Sequence, residues 1–296
     1  VHRARLKGVL LASPPIVVVA VFIGFPIVAA ILYSFGYGGG PNSVVSAIAQ
    51  DQHLSSPGLN LGAYRDVFDD PSFGRSLKVT VVVTVAATVV TLVLATVIAL
   101  YARLAASRLA RTLSAMAIVP LFIPVVIGSY ALLTFYAKDG FLASVASWLH
   151  LPQPVFSYTL TGVAIGEIWT SMPFAVLMLT SGFAAVPDAL IEASRDVGSS
   201  TLRTVRSVIL PMANVPLIIA ATFTAIGILG SFTVPYLIGP TAPNLLGPDI
   251  EQTFGPFNRA QQAQVMAVVL FLLASAIGVA YVWANFRASR RSSGTS

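Results

Sequence analysis

The chain has 296 residues, of which 56% are hydrophobic and 9% charged, with mean hydropathy +0.84 and formal net charge +6. A soluble domain carries about 25% charged residues, so this composition excludes a water-soluble protein and places the chain in a bilayer. The absence of cysteine excludes disulfides, thiolate catalysis and Cys-ligated metals.

Apolar runs of about 20 residues cross a membrane as helices. Six are expected: Val9–Phe35, Leu77–Ala102, Leu113–Tyr136, Leu160–Ala184, Val205–Leu237 and Ala263–Phe286. The first is too long for a signal-peptide core and has no small-residue cleavage site after it, so it is expected to remain as a span. Within it, Pro14 and Pro15 predict a late start and Pro26 a kink. The first outer loop, residues 36–75, is rich in Gly, Ser, Pro and Asn, and reads as a small cap, a docking surface or a flexible link. Leu142–Leu149 has an apolar face and Trp148, the pattern of a short helix lying at the interface. Gly239-Pro240-Thr241-Ala242-Pro243 must be irregular backbone. No internal repeat is evident, which disfavours inverted-repeat carriers.

Lysine and arginine sort the loops. Arg3, Arg5 and Lys7 precede span one, and Arg103, Arg108 and Arg111 join spans two and three. Arg195, Arg203 and Arg206 lie between spans four and five, while Arg287, Arg290 and Arg291 follow span six. The other side holds Arg65, Arg75, Lys78, Lys138 and Arg259 beside Asp51, Asp66, Asp69, Asp70, Asp139, Asp249 and Glu251. The positive-inside rule then puts both termini and the loop of residues 185–204 in the cytoplasm. The domain plan is a tail at 1–8, a six-span membrane domain at 9–286 and a tail at 287–296. The basic excess is thus a topology signal, and nucleic acid is not an expected partner.

Several chemistries are missing. No Gly-rich loop ends in Lys-Ser or Lys-Thr, so the chain has no phosphate-cradling loop of its own. His2, His53 and His150 are scattered over separate loops without metal-ligand spacing, and no serine sits in a nucleophile elbow. Neither an enzyme nor a metal site is expected.

The segment after span four has its own logic. Pro187 suits a helix's first turn. Ala189, Leu190 and Ala193 read as an apolar face, with Asp188, Glu192, Arg195 and Asp196 polar. Glu192 and Asp196 are a mildly unfavourable i,i+4 pair that Arg195 offsets. Gly198 suits a left-handed helix end, and Ser199, Ser200 or Thr201 can cap the next helix through Arg203 and Arg206. Local physics alone leaves two readings, a solvated linker or a docking knob.

The spacing resembles the Glu-Ala-Ala cytoplasmic loop of permease subunits from binding-protein-dependent type I ABC importers. Glu192, Ala193, Gly198, Leu210 and Pro211 fall on that pattern; Ser194 replaces the second Ala and Val208 the usual Ile. Asn60-Leu61-Gly62-Ala63-Tyr64, the stretch from Pro71 to Thr80, and Pro120 with Pro124 also resemble the superfamily. The resemblance implies an all-α polytopic fold of six transmembrane helices with a cytoplasmic coupling helix. It also implies that Glu192, Ala193, Ser194, Arg195, Asp196, Gly198 and Pro211 couple to a cytoplasmic ATPase dimer that binds the ATP and Mg, with none bound by this chain. Further implied partners are a second permease subunit, identical or homologous, and an extracytoplasmic binding protein or lipoprotein. The implied location is the cytoplasmic membrane of a bacterium or archaeon.

Glu167 is the one carboxylate inside an expected span, and a charge at that depth usually faces a cavity or a partner. It lines the path, pairs with the partner permease, lies near the outer interface, or makes a structural hydrogen bond. Trp169, Thr170, Phe232, Thr233 and Tyr236 are candidates for the same cavity or for packing. Pro235 to Gln252, with Met172 to Leu177, looks more like the polyamine, iron and phosphonate branch than the sugar branch. Glu167 beside aromatics suits a cationic polyamine; a sugar or glycerol-phosphate cargo stays open. The rival from another class is an ion-coupled carrier or channel using Glu167.

Overall fold

The computed structural model describes residues 12–48, 59–105 and 107–293. His2, Arg3, Arg5, Lys7, Asp51 and His53 lie outside the described residues. The regular elements described are helices, since a bilayer offers the backbone no hydrogen bonds and each segment must supply its own. Four of them are long and apolar enough to cross a membrane singly, and two bent pairs bring the total to six. Contacts divide the chain into two compact units, residues 1–74 with 249–271 and residues 75–248 with 272–296.

In the first unit, α1 (Ala12–Ser34) is already helical at Ala12, so Pro14 and Pro15 do not delay it further. Instead of a sharp kink, Pro26 is preceded by a widened turn, in which the Phe25 N–H donates to Ala20 O, five residues back. Proline has no N–H and its ring crowds the carbonyl four residues earlier, and one extra residue in the turn relieves that crowding. The described parts of residues 36–75 contain α2 (Ser43–Ile48) and α3 (Gly62–Asp69). Asn42 Nδ2 donates to Ala29 O at 3.0 Å and to Tyr37 O at 3.2 Å, and Ser34 Oγ meets the Tyr64 hydroxyl at 2.9 Å.

Span two begins earlier than expected, as α4 (Pro71–Leu104). Asp70 Oδ1 accepts from the Ser72 N–H at 2.8 Å and its hydroxyl at 2.7 Å, so Asp70-Pro71 is an acidic cap followed by a first-turn proline. Ser72, Phe73 and Arg75 are therefore helical. At 1.5 Å per residue α4 is about 50 Å long, well beyond the ~30 Å hydrocarbon core, so its ends project from the bilayer. The last span, α14 (Ala260–Ser293), likewise continues past the expected boundary at Phe286.

The second unit is built around α8 (Leu160–Ala184), the most enclosed of the four single spans, with 44% of its apolar window buried against 28% for α4. Expected spans three and five are each broken. α5 (Arg108–Ile118) tightens through Val119–Phe122 and then turns by 112° into α6 (Val125–Phe135). Pro124 forces Ile123 into extended backbone (φ −104°, ψ 121°). The short helix expected around Trp148 is present as α7 (Phe141–Trp148), with Trp148 exposed.

Span five is α10 (Thr201–Met212) bent by 74° into α11 (Asn214–Leu229). Pro216 stands in the first turn of α11, where a continuous helix would drive its ring against the Met212 carbonyl. Beyond Leu229 the helix stops, and α12 (Thr233–Ile238) starts afresh. Phe232, Thr233 and Tyr236 therefore lie at this break and on α12 instead of on the span itself. After the irregular stretch at 239–243 comes α13 (Leu246–Phe254), which sequence reasoning missed. Its first N–H donates to Thr80 Oγ1 at 2.8 Å, satisfying a donor that a helix start leaves open.

α11 packs along α8 at Gly182, where a Cβ would lie 2.4 Å from Pro216 Cβ. Gly182→Val is expected to destabilise the detergent-solubilised protein by about 1–3 kcal/mol, read as a lowered Tm in a thermal-shift assay.

Candidate functional site

Two polar features stand out in the second unit: the elbow between α8 and α10, and the buried carboxyl of Glu167.

At the elbow, α9 (Asp188–Asp196) follows Pro187, whose extended conformation (φ −59°, ψ 133°) starts the helix. Asp188 places negative charge at its N-terminus and Arg195 positive charge in its last turn, both favourable to the helix dipole. Gly198 closes it at φ +79°. The Gly198 N–H donates to Arg195 O at 2.8 Å and the Ser199 N–H to Ser194 O at 3.1 Å, a left-handed C-terminal cap. Of the three capping candidates for α10, Ser200 serves, accepting from the Arg203 N–H at 3.4 Å.

The anchor of α9 differs from expectation. Ala189, Leu190 and Ala193 are exposed, and Ile191 is the buried residue. Ile191 joins Val186, Val205, Ile209, Leu179 and Phe183 in one apolar cluster, rooting the elbow in the core. Ser194 Oγ meets Thr204 Oγ1 at 3.0 Å, bonding α9 to α10, with Thr204 buried. The Ser that departs from the Glu-Ala-Ala pattern is therefore a helix–helix contact. Exposed on the elbow are Glu192, Arg195 and Asp196 together with apolar Leu190, Val197 and Leu202.

Leu210-Pro211 repeats the device seen in α1. The Leu210 N–H donates to Val205 O, five residues back, immediately before the proline. Sequence inspection located Pro211 but not this widened turn.

One contributor was missed altogether. Arg103, in the last turn of α4, donates from Nε to Phe183 O at 3.0 Å and from a terminal nitrogen to Val186 O at 2.8 Å. The same nitrogen pairs with the Asp188 carboxylate. Counting basic residues gave Arg103 only a topological meaning; no local pattern announces that its partners lie some 80 positions on.

Glu167 is 2% exposed. The Ser231 side chain at the α11–α12 break hydrogen-bonds its carboxyl group, while Oε1 has no partner among the described residues. Thr170 Oγ1 turns back to Glu167 O at 3.1 Å. Two positions along a helix are rotated by about 200°, and Trp169 accordingly faces elsewhere. It lines an apolar cleft of about 380 Å³ with Met116, Pro120, Ile165, Ile168 and Met172. Phe232 and Tyr236 are exposed and stacked, with ring centroids 5.0 Å apart. The sequence-level cluster thus separates into a sealed carboxyl, an indole-lined cleft and an aromatic pair. Among the described residues no three His, Asp or Glu side chains gather as a metal-ligand set.

The described residues form a bundle of long apolar helices with one exposed helical elbow rooted in its core. The chain belongs to the family of binding-protein-dependent transport system inner membrane components, whose model matches residues 92–292; it is an ABC importer permease. It is similar to the sulfoquinovosyl glycerol transport system permease protein SmoG of Agrobacterium fabrum, 23% identical over 291 residues, covering 94% of this chain and 90% of that one. It is also similar to the spermidine/putrescine transport system permease protein PotB of Escherichia coli, 29% identical over 163 residues, covering 53% of this chain and 59% of that one. In structure it resembles a chain of a bacterial ABC transporter involved in the import of the acidic polysaccharide alginate. The TM-score is 0.76 at 17% identity, over 98% of this chain and 96% of that one. Relatives thus fall on both the polyamine and the sugar-type branches.

Gly198→Val forces a β-branched residue into left-handed backbone at a local cost of roughly 1–2 kcal/mol. Membrane insertion is expected to persist while transport by reconstituted complexes is lost; unchanged uptake would show that the elbow's shape is irrelevant.

Proposed function

We propose that this chain forms half of the translocation path of an ATP-driven importer, beside a second permease subunit, identical or homologous. The observation that carries the reading is the elbow of α9 and α10. It is buried at Ile191 and Thr204 and apolar at its exposed Leu190, Val197 and Leu202. A stiff protrusion with an apolar tip, rooted in the spans, is built to be gripped by a soluble partner. That partner is a dimer of cytoplasmic ATPase subunits holding ATP and Mg²⁺. Glu192, Ala193, Arg195 and Asp196 form the contact face, Ser194 and Gly198 fix its shape, and Pro211 sets the widened turn above it. Closure of the ATPase dimer draws the two elbows together and opens the path outward; hydrolysis resets it.

The sorting of Arg and Lys supports a cytoplasmic elbow and cytoplasmic termini, in the cytoplasmic membrane of a bacterium or archaeon. An extracytoplasmic binding protein or lipoprotein delivers the cargo, a small polar solute. A polyamine is the first reading: Glu167, Trp169, Thr170, Phe232, Thr233 and Tyr236 stand at separate points along the path, and the exposed Phe232–Tyr236 pair offers a cation its ring faces. A sugar-type cargo is the second reading. It is favoured by the near-complete sealing of Glu167 and by similarity to SmoG along 94% of this chain.

Because the sequence lacks cysteine, Ala193→Cys introduces a single thiol. It is expected to crosslink to a cysteine placed in the ATPase subunit's surface cleft in membranes holding the whole complex. No crosslink at any cleft position would remove the proposal. For cargo, Glu167→Gln is expected to cut spermidine uptake by about tenfold through one lost charge-assisted contact. Equal uptake by wild type and variant, with transport of a neutral glycoside, would establish the sugar reading.

A further inference from the structure

Arg103 stands where three elements end. α4 finishes at Leu104, α8 at Ala184, and α9 begins at Asp188. Its guanidinium donates to Phe183 O in the last turn of α8, to Val186 O in the connection and to the carboxylate of the first residue of α9. The side chain is 19% exposed, whereas that of Asp188 is 75% exposed. The two carbonyl bonds are therefore the sheltered part of the contact, and the ion pair is its wet edge. A guanidinium also complements the negative C-terminal end of α8. Its planar fork of donors lets one residue reach three acceptors at once, which a lysine ammonium at the end of a flexible stem does not reproduce.

Without Arg103, α9 is joined to the bundle through its chain connections, the Ser194–Thr204 contact with α10, and the apolar Ile191 cluster, which also holds Ala95 and Ala99 of α4. Among the described residues Arg103 adds the polar tie to α4. We infer that Arg103 is a positioning residue for coupling: it makes the end of α4 move as one body with the α8–α9 elbow, so that force applied at the elbow reaches span two as well as spans four and five.

This inference rests on the proposed coupling role of the elbow, and its test separates the two. The measurement is the number of solute molecules imported per ATP hydrolysed by the complete complex in proteoliposomes, with the Ala193→Cys crosslink to the ATPase as a control on docking. Arg103→Ala and Arg103→Lys are both expected to lower that ratio about tenfold, the scale of one or two charge-assisted hydrogen bonds, while the crosslink still forms. Asp188→Asn keeps an acceptor oxygen and is expected to change the ratio less than threefold. In Arg103→Cys/Asp188→Cys, a short bis-methanethiosulfonate, which forms a disulfide with each cysteine and releases methanesulfinate, is expected to restore the ratio that the unbridged variant has lost. A wild-type ratio in Arg103→Ala overturns the inference. So does full rescue by Arg103→Lys with a defect in Asp188→Asn, which would reduce the contact to its ion pair. Loss of the crosslink in the otherwise wild-type complex would instead count against the elbow as the docking site.

Discussion

The bilayer donates no hydrogen bonds, and most of this structure follows from that constraint. Each span must satisfy its own backbone, so a break is tolerated only where other protein groups cover the loosened ends. Four of the interruptions share a cause. Pro124 and Pro216 each reject the helix that would precede them, and the chain bends there by 112° and 74°. At Pro26 and Pro211 the chain takes a gentler course, adding one residue to the preceding turn so that an N–H skips to the carbonyl five back. At these four positions a proline swells or breaks the rod, whereas Pro173 sits inside continuous α8.

The same constraint explains where polar chemistry survives. Thr80 answers an open N–H at the start of α13, Ser231 meets Glu167 at the end of α11, and Arg103 gathers carbonyls where α8 finishes. Helix ends are where backbone groups go unpaired, and these side chains are placed at such ends. The elbow adds a second requirement, since it must be firm enough to transmit load. Burial of Ile191, the Ser194–Thr204 contact and the left-handed cap at Gly198 supply that firmness with few residues.

Hydropathy made the six apolar runs, the short helix at Trp148 and the irregular stretch after Ile238 legible, because each depends on local composition. The Gly198 cap was legible for the same reason. Span boundaries were less so: Asp70-Pro71-Ser72 is a cap written in three residues, but a window of 20 averages it away. The direction of α9's buried face was misread because Ile191 alone carries it, while the three neighbours that form an apolar stripe on paper face outward. Glu167 and Trp169 looked adjacent in sequence, yet a helix turns them to different surroundings. Arg103 was illegible as a structural tie, since its acceptors are mostly carbonyls, which no sequence distinguishes.

Among the described residues, α1 has only 6% of its apolar window buried. Where no neighbouring side chain interlocks, exchanging Val for Ile, Leu or Phe disturbs no jigsaw and preserves transfer energy. Its outward face is therefore free to drift in evolution as long as it stays oily and of the right length, so relatives should diverge there fastest in letters and slowest in character.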